Sequence, residues 1–254
     1  MEIPDVGELF DFPAIWEISI AGINLSINRV VLLLFVTTVI TTLLFYAAFR
    51  KPRIVPKKFQ SVMEALVEFI RNGIAREVIG PDGDKYVPFL TCLFTFIFVL
   101  NFFEVAPGVS FPPASRMAVP LALSLIVYVL FNAIGFSKNG FKYLTGILFM
   151  PGVPWWLYPL VTPIEFISVF VIRPVSLAVR LFANMMAGHI LLAIFFFTTY
   201  AIVNPLRPAS VLGVIPLALS IVFVAFEVFV GFLQAYIFTI LSAVYIGDAL
   251  HPAH

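Results

Sequence analysis

The chain has 254 residues, 61% of them hydrophobic and only 11% charged, with a formal net charge of +1. A soluble domain carries about 45–50% apolar and about 25% charged residues, so this composition is that of an integral membrane protein. The near-neutral balance argues against a nucleic-acid partner, and the single cysteine, Cys92, excludes an intrachain disulfide.

The first 25 residues are acidic (Glu2, Asp5, Glu8, Asp11, Glu17) and hold no Lys or Arg. That is the wrong charge for the start of a secretory signal, so residues 1–26 read as a retained tail. Residues 27–49 are apolar over a length that crosses the ~30 Å hydrocarbon core as a helix. Arg50, Lys51, Arg53, Lys57 and Lys58 follow at once. By the positive-inside rule this end is cytoplasmic and the N-terminus lies outside.

In 59–78, Phe59, Val62, Met63, Leu66, Phe69, Ile70, Ile74 and Val78 recur at helical spacing, with Glu64, Glu68, Arg71 and Glu77 mostly off that stripe. The spacing predicts an amphipathic helix in the membrane interface, or one that binds a cytoplasmic partner. PDGD at 81–84 predicts a turn. Spans are expected over about 86–105 and 118–136, and Lys138 and Lys142 again place the inner side at the end of the third. PGVPWW at 151–156 reads as a Pro-broken, Trp-bearing return to the interface.

The two remaining apolar segments, about 157–202 and 209–250, are separated by VNPLRPAS. Each exceeds the ~20 residues of one perpendicular crossing, which predicts either interfacial extensions or strong tilt. The expected architecture is all-α, with about five transmembrane helices, a long tilted C-terminal hairpin at about 157–250 and one amphipathic helix. Residues 27–254 form a single membrane domain in this reading, with the C-terminus cytoplasmic.

Few ionisable groups lie at membrane depth: Glu104, Glu165, Arg173, Arg180, His189 and Glu227. Such residues are expensive there and mark ion pathways or proton relays, unless they are pairs buried for register. On a helix, Ser176, Arg180, Asn184 and Ala187 fall within about 40° of one line, with Arg173 and Ala183 nearby. This stripe joins one cation to small residues, which lets another helix approach closely. His189 points about 180° away from Arg180 and is expected to face the 209–250 segment. Ser220, Glu227 and Gln234 recur at intervals that drift only about 20° per step and form a second polar file. A carboxylate and an imidazole can each relay a proton near neutral pH, whereas a guanidinium stays charged, so Arg180 is a permanent charge. Glu165 either lines a pathway or caps a helix start after Pro163. Arg173 reads as a residue reaching for the inner interface as readily as a pathway residue. Glu104, beside Pro107 at an outer helix end, is expected to be solvated.

PVSLAVRLFANMMAGH at 174–189, followed by LQAYIF at 233–238, resembles subunit a of the F-type ATP synthases. The resemblance covers most of the chain. It implies a stator subunit of a bacterial plasma membrane, partnered by the ring of subunit c, the peripheral-stalk subunit b and the rest of the complex. It implies that Arg180 faces the ring and separates two offset half-channels, with Ser176, Ala183, Asn184 and Ala187 on the same face. It places Asn184, His189, Glu227 and Gln234 on the outer half-channel, and Ser176 near the inner one. In some bacterial members the His189 position is acidic and the Glu227 position is histidine; here the pair is transposed.

A secondary ion-coupled transporter is the alternative, but the chain lacks the paired repeats of that class. There is no HExxH metal motif, no second membrane-depth histidine for a haem and no G-x-x-x-x-G-K-[ST] nucleotide loop. No cofactor, metal or catalytic site is therefore expected in this chain, and coupling to ATP falls to partner subunits.

Overall fold

A computed structural model describes residues 19–20, 23–24, 28–106, 109, 112–149, 154–203 and 213–251. The N-terminal tail up to residue 18 and most of the VNPLRPAS connection lie outside these. So do the first three residues of PGVPWW.

The described chain is almost entirely helical. A two-residue pairing precedes the helices, with Ser19 opposite Asn24 and Ile20 opposite Ile23. Helix α1 (Arg29–Phe49) opens on Asn28, whose side chain accepts the Val31 N–H at 3.0 Å. A short helix α2 (Lys58–Ile70) follows. Helix α3 (Val87–Val105) and helix α4 (Ala118–Asn139) are the second and third spans. After α5 (Phe141–Leu148) and α6 (Tyr158–Ile167) come the two long helices, α7 (Arg173–Val203) and α8 (Val214–Leu250). Five helical segments are long and apolar enough to cross a membrane, as the composition predicted.

Hydroxyls within these spans are spent on the helix backbone. Thr37, Thr38 and Thr42 of α1, Thr91 and Thr95 of α3, and Thr239 and Ser242 of α8 each donate to the carbonyl four residues back. In hydrocarbon no water competes for these groups, so internal bonding is what makes them tolerable. Helix α3 is the most enclosed span, with half of its apolar stretch buried, against 11% in Trp155–Val203 and in Val214–Leu250. It packs along α8, and α8 packs along α7, while α1 sits outside against α3. The long pair leaves most of its surface to lipid or another protein.

At 31 and 37 residues, α7 and α8 are about 46 and 55 Å long at 1.5 Å per residue. Both outrun a ~30 Å core, so they tilt steeply or project beyond it. The segment before α7 does not run straight into it. Pro163 sits inside α6, and a wide π-helical turn, Ser168–Ile172, joins α6 to α7.

The amphipathic stretch also differs from one regular helix. Helix α2 ends at Ile70, and Arg71–Ile79 winds as a wider π-helix before a 3₁₀ helix, Pro81–Tyr86. The extra residue per turn breaks the 3.6 period, so Ile74, Ala75 and Ile79 are buried, while Phe59 and Val62 at the front of the stripe stay exposed. The wide turn carries Arg76 to Asp84, where two parallel bonds of 2.9 Å form. This pairing also raises the Arg76 guanidinium above its ordinary pKa, through the hydrogen bond first and the charge of Asp84 second. Asp82 meets Lys138 of α4 at 3.2 Å, and Lys85 and His251 at 3.9 Å. Asn139, at the end of α4, donates to the Ala249 carbonyl near the end of α8 at 3.0 Å.

Gly83 makes this elbow possible, because a Cβ there would lie 2.4 Å from the Ala75 carbonyl oxygen. Gly73 has only the Phe69 ring near it, at 3.9 Å. Gly83→Ala is therefore expected to destabilise the elbow by about 1–3 kcal/mol through overpacking against backbone. Gly73→Ala should be neutral or slightly stabilising. Thermal unfolding of the two variants in detergent, compared with the parent, checks the contrast.

Candidate functional site: a polar file between α3, α7 and α8

Helices α7 and α8 run antiparallel, and their contacts bring together Arg173, Asn184, Glu227 and Gln234 among the polar groups the sequence singled out. At one end, Arg173 Nη1 lies 2.9 Å from Asp248 Oδ2, and its guanidinium stacks 5.0 Å over the Tyr245 ring. Arg173 is thus clamped between two α8 side chains rather than reaching freely to an interface. Farther along, the Asn184 amide donates to Gln234 Oε1 at 2.7 Å. Beyond that, Gly188 abuts Glu227: a Cβ on Gly188 would lie 2.6 Å from all three carboxyl atoms. A missing side chain on α7 makes room for a carboxyl on α8.

Helix α3 closes the file from the other side. Asn101 donates to the Gly231 carbonyl at 3.1 Å, and the close approach needs a glycine, since a Cβ on Gly231 would stand 3.2 Å from Asn101 Cβ. Glu104, one turn on, is only 6% exposed and lies within electrostatic range of Glu227. The expectation that Glu104 is solvated is therefore corrected. Its place near Pro107 marks a helix end, but that end is covered by neighbouring elements. Neither Glu104 nor Asn101 stands out in the sequence as a neighbour of α8, because α3 shows no polar periodicity. Their four-residue neighbours Ile97, Leu100 and Val105 are apolar, so only the tertiary contact with α8 reveals them.

Several buried atoms in this region have no hydrogen-bond partner among the described residues: Asn101 Oδ1, Glu104 Oε1, Gln234 Nε2 and Ser115 Oγ. Buried polar atoms are normally satisfied, so a cluster of exceptions needs a reason beyond packing.

Arg180 is half-buried and forms no hydrogen bond or ion pair among the described residues, although its charge reaches Tyr245. Ala183, Asn184 and Ala187 on the same stripe are exposed, and Ser176 is half-buried. The cation therefore sits beside an uncovered face of small side chains. His189 is half-buried directly after Gly188. Ser220 is buried, but its hydroxyl donates to its own helix at Leu217 O, 2.7 Å away, rather than to Glu227 or Gln234. Glu165 stays apart from the file: α6 packs on α5 and on the wide turn. That turn shifts the phase of everything before Arg173, so spacing from Arg180 cannot place Glu165.

The described residues form a multi-pass helical membrane protein, with carboxyl, amide and guanidinium groups placed between two long helices where ionisable groups are otherwise rare. The sequence profile of one family, the ATP synthase A chain, matches residues 30–247. The chain is 38% identical to an ATP synthase subunit a of Frankia alni, over 97% of this chain and 86% of that protein. It is 40% identical to one of Rhodococcus erythropolis, over 89% and 83%, and 40% identical to one of Maricaulis maris, over 98% and 96%. The chain belongs to the ATP synthase A chain family.

The Gly188–Glu227 contact sets a sharp test. Gly188→Ala is expected to displace the carboxyl and to cut ATP-driven proton pumping by on the order of tenfold, with the complex still assembled, because overpacking here acts on one side chain. Acidification of inverted membrane vesicles, alongside subunit quantification, reads both parts.

Proposed function

We propose that the chain is the stator subunit of a bacterial proton-translocating rotary ATP synthase, its residues 27–254 acting as one membrane domain. In this reading the N-terminus faces outside and the C-terminus the cytoplasm. Its partners are the ring of subunit c, which docks on the Ser176, Ala183, Asn184 and Ala187 face, and the peripheral-stalk subunit b. The observation that carries the reading is a file of buried polar groups ending beside Arg180, which has no partner among the described residues and stands on an exposed face of small side chains.

The outer half-channel runs past Glu104, Asn101 and His189 to Glu227, and on to Gln234 and Asn184. A proton entering here is handed between carboxyl and imidazole groups to a carboxylate on a ring subunit. Once neutral, that carboxyl can turn into lipid, where its ionised form would be very costly. After nearly a full rotation it reaches the inner half-channel, lined by Ser176, the Arg173–Asp248 pair and Glu165, and releases its proton. Ser220 supports the backbone of the outer route and does not relay protons.

Arg180 works by being unable to lose its charge. It favours the ionised ring carboxylate as that group passes, and it repels a proton moving straight from one half-channel to the other. A small-residue surround lets the ring come close enough for this attraction to act. Because a transmembrane potential supplies about 2.3 kcal/mol per charge per 100 mV, a direct leak would dissipate energy that rotation otherwise captures.

Two variants test the reading in liposomes holding the whole complex. Arg180→Ala should abolish coupled pumping and raise passive proton flux about tenfold or more, since each ~1.4 kcal/mol removed from a barrier is one decade in rate. Pumping at the parental rate without added leak would make the arginine structural. Glu104→Gln should slow pumping by about tenfold, less than the ~10²–10⁴ carried by an indispensable proton relay, because Glu227 and His189 remain. Unchanged turnover in Glu104→Gln would remove that residue from the route.

A further inference from the structure

The connection after α1 is basic and apolar at once. Arg50, Lys51, Arg53, Lys57 and Lys58 lie within nine residues, and every residue from 50 to 58 is exposed. Between the cations stand Ile54, 104% exposed, and Val55, 82% exposed. Apolar side chains this open would be costly to leave in water, and flanking prolines, Pro52 and Pro56, stiffen the segment that presents them.

The loop is also built rather than slack. Gln60, buried at the start of α2, grips Arg53 on both sides: its carbonyl accepts the Arg53 N–H at 3.3 Å and its amide donates to the Arg53 carbonyl at 3.2 Å. The same amide donates to Glu64 at 2.7 Å, which occupies the nearest acid. Lys51, Arg53, Lys57 and Lys58 have no acidic partner among the described residues, and Arg50 lies over the Tyr46 ring, 5.2 Å from its centre. Behind the loop, a cleft of about 460 Å³ opens between α1, α2 and the start of α3. Its walls include Phe45, Phe49, Val67 and Val87, together with Arg71 and Asp84, whose carboxylate is taken by Arg76.

We propose that the 50–58 loop and this cleft seat an anionic phospholipid of the leaflet on the basic side of the membrane. Ile54 and Val55 enter the headgroup–acyl boundary, the unpaired cations take the phosphate, and the aromatic cleft takes an acyl chain. Charge complementarity selects this occupant. Unpaired cations around a projecting apolar pair, one step beyond a membrane-spanning helix, match an anionic lipid surface. A neutral lipid would satisfy the apolar pair and leave the cations unanswered. The lipid seat does not depend on the half-channel reading.

The test uses the whole complex in liposomes containing a trace of photoactivatable phosphatidylglycerol or, in parallel, photoactivatable phosphatidylcholine. After irradiation, labelled peptides spanning 50–71 are quantified. The parent should take about fivefold more phosphatidylglycerol than phosphatidylcholine, a preference that multiple interfacial cations supply. Arg53→Gln/Lys57→Gln/Lys58→Gln should bring the two to parity, and Ile54→Ser/Val55→Ser should lower labelling by both. Equal labelling of the parent by the two lipids would overturn the proposal. So would unchanged preference in the charge variant, or loss of a stalk protein from that variant with lipid labelling intact, which would make the loop a protein-docking surface. Excess inorganic phosphate should leave labelling unchanged; displacement by it would reduce the site to a free-anion site and overturn the lipid assignment.

Discussion

A carboxyl group can lie between two membrane helices only where one of them yields space for it, and here Gly188 yields it to Glu227. The polar arrangement depends on that concession. With the carboxyl held against the α7 backbone, α7 and α8 approach closely enough for Asn184 to reach Gln234 at 2.7 Å and, at the far end, for Arg173 to reach Asp248 at 2.9 Å. Desolvation enforces the register. A polar side chain that missed its partner at this depth would cost more than a hydrogen bond returns, so the helices settle where the polar groups meet. Of the buried atoms without a partner among the described residues, those on Asn101, Glu104 and Gln234 lie along the α3–α8 contact, with the Thr41 and Ser115 hydroxyls elsewhere.

The uneven burial of the five spans follows from the same economy. Helix α3 is enclosed because it supplies Asn101 and Glu104 to the file and must shield them. Helices α7 and α8 turn one face to that file and leave the rest outward. On α7 the outward face carries alanines near Arg180, while Phe226 and Phe229 of α8 stay exposed and Phe232 packs edge-on against Phe94 and Phe98 of α3. Small side chains admit a close neighbour, whereas bulky aromatic ones suit acyl chains.

Much of this was legible in the amino-acid sequence. The five spans stood out because hydrocarbon tolerates little but long apolar runs, and the stripe through Ser176, Arg180 and Asn184 survives because α7 is regular over its whole length. Phase arithmetic put Asn184 on the Arg180 face and turned the opposite face toward α8, yet it is Asn184 that bonds Gln234. It failed at two further kinds of place. Where the helix widens, at Arg71–Ile79 and Ser168–Ile172, a 3.6-residue period no longer tracks the faces, so the buried side of the first stretch and the setting of Glu165 could not be read. Where a polar residue owes its burial to a distant element, as Glu104 does, nothing local announces it. Ser220 shows the converse: it keeps perfect phase with Glu227 and Gln234 yet turns its hydroxyl back onto Leu217.

Asp82 joins three stretches of chain at the basic end: the 3₁₀ turn that holds it, α4 through Lys138, and the tail of α8 through His251. Each of these pairs is solvent-exposed, within reach of mobile ions whose screening length is ~8 Å at physiological ionic strength. The Asn184–Gln234 and Gly188–Glu227 contacts lie where such ions do not penetrate. The surface end of the bundle and its interior therefore answer to different variables. Added salt weakens the ion pairs of Asp82 and leaves the α7–α8 contacts at mid-depth untouched, so salt acts on the surface fastening of the bundle and not on its polar interior.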